Sequence, residues 1–137
     1  MGVILDSCVL IDGERRKQSV LQILEQLRAA YGEIEMGLSV VTIVELTHGI
    51  QRASDELRRQ RRQRFVDELV RDLPIYPVNL ETARLAGTIE GELAGRGITV
   101  AFEDLLIATT ALHLGFAVAT ANLRHFEVIP GLTVIRA

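Results

Sequence analysis

Short runs of apolar residues punctuate this chain: GVIL at 2–5, LSVV at 38–41, IYPV at 75–78, FAVAT at 116–120 and TVIR at 133–136, with helical periodicity between most of them. An apolar run of this length without polar alternation fits a strand covered on both faces, which is how buried parallel sheets read. Strands that alternate with helices imply a mainly parallel central sheet flanked by helices on both faces. At 137 residues, with 48% hydrophobic and 24% charged, the chain suits one folded domain with a single core. No repeat, linker or low-complexity tract divides it, so the expectation is one α/β domain over residues 1–137.

The helical segments carry their apolar residues at three-to-four spacing. Val20, Ile23, Leu24, Leu27 and Tyr31 mark a helix over 17–31, and Leu80, Ala83, Ala86, Ile89 and Leu93 mark another over 80–95. A charged helix spans about 55–73, with Phe65, Val66, Leu69, Val70 and Leu73 clustered in its second half. Pro77 points to an edge position, or the end, of the third strand. The stretch GRGITVAF reads as either loop or strand. Residues 105–121 carry no formal charge, yet they fall short of the roughly 20 apolar residues a membrane span needs. His113, Gly115 and several threonines also interrupt them, so a buried helix, a turn and a strand are expected. The start MGVILD has neither the basic and long apolar regions of a signal peptide nor a Ser or Thr at Asp6 for myristoylation, which makes a cytoplasmic location the expectation. Cys8 is the only cysteine, so intramolecular disulfides and a cysteine zinc site are excluded, and an inert buried thiol is expected.

Functional groups of an open parallel sheet gather beyond the carboxyl ends of its strands. Asp6 directly follows the first run, Glu45 lies just after the second, and Asp104 opens the buried helix. Each has a purely structural alternative. Asp6 could cap a turn, Thr42 and Glu45 have the spacing of a capping box, and Asp104 could complement a helix dipole. Three carboxylates at one edge would raise one another's pKa values unless a cation neutralised them. Mg²⁺ and Mn²⁺ are the natural partners of such oxygen ligands, and a site of this kind activates water against a phosphodiester.

The motifs VILDSCVLI, LSVVTIVELTHGI, DLLIATTALHLG and VATANLRHFEVIPGL, in this order, resemble the PIN domain family and, within it, the VapC-like ribonuclease toxins of bacterial toxin–antitoxin pairs. The resemblance covers nearly the whole chain. It implies a compact α/β nuclease fold, dependence on Mg²⁺ or Mn²⁺, cleavage of single-stranded or looped RNA, dimerisation or a toxin–antitoxin hetero-oligomer, and inhibition by a cognate antitoxin. Carried over by position, the family's first three acids fall on Asp6, Glu45 and Asp104, with Ser7 as the small hydroxyl residue after the first. The ending departs from the family's pattern: TANLRHF supplies Thr120 and Asn122 but places His125 where the last Asp is expected. Imidazole suits Mn²⁺ better than Mg²⁺, and Glu103, Asn122 or Glu127 could compensate. Two readings follow, a metal-dependent endoribonuclease and a catalytically impaired binding protein of the same fold. A receiver-like phosphotransfer domain is disfavoured because Lys17 is the only lysine.

The net charge of −3 argues against general polyanion binding, but it conceals six arginines against Asp55 and Glu56 between Arg52 and Arg64. Within this run Arg58, Arg61 and Arg62 are candidates for RNA phosphates. A solvated helix face and an antitoxin contact are the alternatives. His48 and His113 lack metal-ligand spacing and read as satisfied or half-buried.

Overall fold

The computed structural model describes residues 1–137. Five strands, β1 (Gly2–Leu5), β2 (Glu35–Ser39), β3 (Ile75–Tyr76), β4 (Ala117–Thr120) and β5 (Val134–Arg136), form one sheet in the order β3-β2-β1-β4-β5. Every pairing is parallel. The expected α/β architecture is therefore present in its wholly parallel form, with β3, the strand before Pro77, on an edge.

Seven helices cover the two faces: α1 (Ser7–Arg15), α2 (Val20–Tyr31), α3 (Val40–Gln51), α4 (Glu56–Asp72), α5 (Leu80–Gly95), α6 (Phe102–Leu114) and α7 (Leu123–Glu127). Side-chain alternation along the strands divides the core. Val3, Leu5, Ala117 and Ala119 face a cluster with α1 to α4, through Leu10, Leu24, Leu46 and Leu69. Ile4 and Val118 face the other cluster, with Ile89, Leu93, Leu105, Ile107 and Phe126. Burial on both faces is why these strands are continuous apolar runs. No helix is long and apolar enough to cross a membrane.

The sequence reading and the structure differ in several places: β2 begins at Glu35, three residues before the apolar run at 38, and the helix expected over 17–31 begins only at Val20, after its Ser19 cap. Residues 7–15, left without an element, form α1; they lack a clear apolar stripe because Gly13 faces α2 so closely that an added Cβ would sit 2.4 Å from Ile23 Cδ1. The second strand ends at Ser39 rather than residue 41, because the Ser39 hydroxyl accepts a hydrogen bond from the Val41 N–H at 3.2 Å and starts α3 despite the β-branched Val40 and Val41. The polar turn before the last strand contains α7. GRGITVAF resolves as a helix end, an irregular segment at 98–101 and the start of α6.

Genuine capping boxes form elsewhere, between Ser19 and Gln22 and between Asn79 and Thr82. Tyr76 and Phe116 meet edge to face at 6.0 Å, across a surface cleared by two glycines. A Cβ on Gly2 or Gly37 would lie 2.5 Å from the ring of Phe116 or Tyr76, respectively.

Candidate active site at the carboxyl edge of the sheet

The strand order reverses direction between β1 and β4, which opens a crevice beyond their carboxyl ends. Asp6 and Thr120 close those two strands. The Asp6 N–H donates to the Ala119 carbonyl at 3.0 Å and so continues the ladder one residue past β1. Asp6 stands in the N-cap position of α1, but its side chain caps nothing. Instead, Oδ2 accepts from Thr120 Oγ1 at 2.8 Å and from Cys8 Sγ at 3.1 Å. The Thr120 hydroxyl in turn accepts from the Asn122 N–H at 2.9 Å. Asp6 is only 3% exposed, so this arrangement fixes a buried carboxylate with neutral donors and without a counter-ion.

Glu45 lies in the second turn of α3, too deep for the capping box with Thr42. Both Thr42 Oγ1 and Glu45 Oε1 are buried without a hydrogen-bond partner. Burial pushes the Glu45 carboxyl above its usual range, and the charges of Asp6, Asp104 and Glu103 push it further; the Ser7 side chain opposes them. Asp104 stands in the first turn of α6, where Ala101 supplies no side-chain cap. Its carboxyl is also raised, first by burial, then by Asp6, while His125 pulls it down. The dipole of α6 favours the anion, but burial and the neighbouring acids outweigh it. Glu45 and Asp104 both feel the charge of Asp6, and Glu45 feels that of Asp104 as well.

His125 occupies the fourth position, and its Nδ1 lies 3.3 Å from Asp104 Oδ2, with the imidazole 60% exposed and the carboxylate 17%. It partners an acid instead of adding one. Glu103 is the further acid whose charge reaches both Glu45 and Asp104. Asn122 contributes its backbone amide. Cys8 is half-buried rather than buried, and its thiol donates to Asp6. Burial raises its pKa, so it remains a protonated donor. Its position two residues after Asp6, in the first turn of a helix, was the available signal. His48 is exposed rather than satisfied, and His113 Nδ1 sits 3.5 Å from Glu81 on the surface.

No three His, Cys, Asp or Glu side chains close into a ready-made coordination group. The donors nevertheless suit a hard divalent cation: they are carboxylate oxygens, the ionised forms of Glu45 and Asp104 are disfavoured by burial and neighbouring acids, and Glu45 Oε1 is buried with no partner. Mg²⁺ needs only a few protein carboxylates and keeps several waters, so loosely gathered acids fit it.

Arg58, Arg61 and Arg62 do not join the acids. They gather with Arg15 at the far end of α1, a helix whose nine residues span about 13 Å.

The PIN domain family matches residues 3–132. Ribonuclease VapC1 of Rickettsia felis is 30% identical over 135 residues, which cover 98% of this chain and 96% of the relative. A tRNA(fMet)-specific endonuclease VapC of Salmonella typhimurium is 33% identical over 99 residues, 72% of this chain and 73% of the relative. In solved structures, the DNA-bound VapBC from Salmonella typhimurium contains a chain that superposes with a TM-score of 0.83 at 28% identity, over 99% of this chain and 98% of that one. VapBC2 from Rickettsia felis, bound to a fragment of promoter DNA, reaches 0.86 at 20% identity, over 100% and 99%, a likeness of fold. The acids at the strand ends, the reversed strand order and these matches have one reading: the chain belongs to the PIN domain family.

Proposed function

We propose that this protein is a metal-dependent endoribonuclease, the toxin of a toxin–antitoxin pair, with Asp6, Glu45 and Asp104 as the residues that hold Mg²⁺ or Mn²⁺. The observation that carries this reading is a set of three acids on three elements whose only common feature is the crevice they face. Asp6 and Glu45 do not serve as the caps that would otherwise explain them, and Asp104 sits in the first turn of α6 with its carboxyl raised despite the helix dipole. The names of the relatives supply the substrate class and the partner.

A bound divalent ion would supply charge to the scissile phosphate and lower the pKa of an attacking water. The chain's residues prepare the ground for it. Thr120 and Cys8 hold Asp6 Oδ2 so that its carboxylate cannot rotate. The Ser7 side chain eases the rise of the Glu45 carboxyl, and His125 Nδ1 lies 3.3 Å from one oxygen of Asp104. RNA is the proposed substrate, and the partners are a cognate antitoxin and a second copy of this chain, all in the cytoplasm.

Purified protein should cut single-stranded RNA with added Mn²⁺ or Mg²⁺. Asp6→Asn and Asp104→Asn should each reduce the rate by at least about a hundredfold, the scale of a lost electrostatic stabiliser. Equal rates for parent and both variants would remove the site from the reaction. Cleavage by parent and variants alike in excess EDTA would remove the metal.

A further inference from the structure

The arginine-rich helix α4 does not face the acids, yet its cations are not scattered over solvent. Arg58, Arg61 and Arg62 converge with Arg15 and Lys17 from the end of α1 on a recess of about 320 Å³ that contains one acid, Glu14, and no hydrophobic residue. Arg62 spends one N–H on the Gly49 carbonyl at 2.6 Å, and Arg58 pairs with Asp55 at 3.7 Å. Arg15, Lys17, Arg61 and Arg62 take part in none of the protein's seven ion pairs.

Lys17 adds a second oddity. It holds φ at 60°, the left-handed conformation that follows a helix and usually belongs to Gly or Asn. The single lysine of the chain therefore stands at a position where a side chain is normally a burden. Unpaired cations at close quarters repel one another, and a polyanion relieves them.

The recess is also aligned with the acids. Ser7, Ile11 and Glu14 follow one face of α1, and Glu45 and Gly49 follow one face of α3. Leu10, Ile11, Leu46, Phe65 and Val66 line a cavity of about 140 Å³ between these faces, and Arg15 and Arg62 border both cavity and recess. The apolar cavity and the basic recess thus adjoin along α1, sharing Glu14, Arg15 and Arg62, on a helix whose other end starts at Ser7 beside Asp6.

We propose that this recess is a phosphate-binding exosite for RNA: a strand whose scissile phosphate lies at the acids follows α1 toward its far end and delivers a phosphate several nucleotides away to Arg15, Lys17, Arg61 and Arg62. Five cations against the single acid Glu14 give the recess a charge that matches phosphate. Planar guanidinium groups suit phosphate oxygens. The inference rests on the nuclease reading for the position of the strand, but it is tested by binding, without cleavage.

In the Asp6→Asn background, fluorescence anisotropy would follow a labelled twelve-nucleotide single strand and a labelled trinucleotide over a range of salt concentrations. Adding Arg61→Gln and Lys17→Asn, the latter suited to the left-handed backbone, should weaken the longer strand about tenfold. It should also flatten its salt dependence by about 0.7 in log–log slope per lost contact, while the trinucleotide binds both proteins alike. Thermal melts of the variants confirm the fold. An unchanged slope for the longer strand overturns the exosite, and so does an unchanged slope accompanied by lost binding of an oligoglutamate peptide, which would assign the recess to a protein partner. Failure of the parent to cut RNA would count against the nuclease reading alone.

Discussion

Glu45→Gln should make the metal-free protein more stable while it destroys the proposed site. The carboxyl of Glu45 is raised by burial and by three neighbouring acids, and its Oε1 has no partner. At neutral pH the folded state therefore carries an ionised group that it disfavours. Gln keeps a polar atom at the unpartnered position and removes only the charge; an unpaired charged group costs more than a neutral one, and the partial exposure of Glu45 keeps that difference to about 1 kcal/mol. With an unfolding entropy of about 2.1 cal/mol/K per residue over 137 residues, each kcal/mol moves Tm by about 3.5 °C. The sign follows from linkage. A carboxyl whose folded pKa is raised costs nothing below its unfolded value of about 4.3. The cost grows as pH climbs from there through the folded value, then levels off. Calorimetry in EDTA should thus find the variant about 3 °C more stable than the parent at pH 7.5 and nearly equal to it at pH 4. A variant less stable at pH 7.5, or a difference independent of pH, would refute the claim that Glu45 is held under repulsion.

Three further outcomes follow from the same geometry. Mn²⁺ should raise the parent's Tm, and by less as pH falls, because burial and neighbouring acids raise the carboxyls of Glu45 and Asp104 and protons then compete with the ion; a differential scanning series over pH with an EDTA reversal reads this. Thr120→Val should cost about 1–3 kcal/mol, because it strips a donor from the buried Asp6 Oδ2 and leaves the Asn122 N–H unpaired; urea unfolding measures the loss, and RNA cleavage should fall with it. Gly37→Ala should cost about 1–3 kcal/mol by overpacking, since its Cβ would lie 2.5 Å from the Tyr76 ring and 3.1 Å from the Pro74 carbonyl, and neither can yield without shifting β3.

The fold was readable where local pattern and tertiary burial agree. β1 and β4 are buried on both faces, and their apolar runs announce it; α2 and α5 present one face to the core, and their periodicity announces that. The misses have a common cause. At Gly13 and at Val40 and Val41, close packing or a single cap overrides residue preference, and neither influence has a periodic signature.

The site was readable for a different reason. A parallel sheet collects whatever follows each strand at one edge, so Asp6 and Thr120 meet because β1 and β4 are neighbours. What the sequence could not rank was the competing local role of each acid, since Thr42 and Glu45 have the spacing of a capping box whether or not the helix begins there. Ser39 decides this by starting α3 three residues earlier, which takes Glu45 out of the cap and leaves its Oε1 without a partner. His125 extends the same logic. Set against Asp104 at 3.3 Å, it tempers the negative charge at the edge, so His125→Asp should deepen the repulsion and make the metal-free protein less stable and its folding more dependent on a divalent ion.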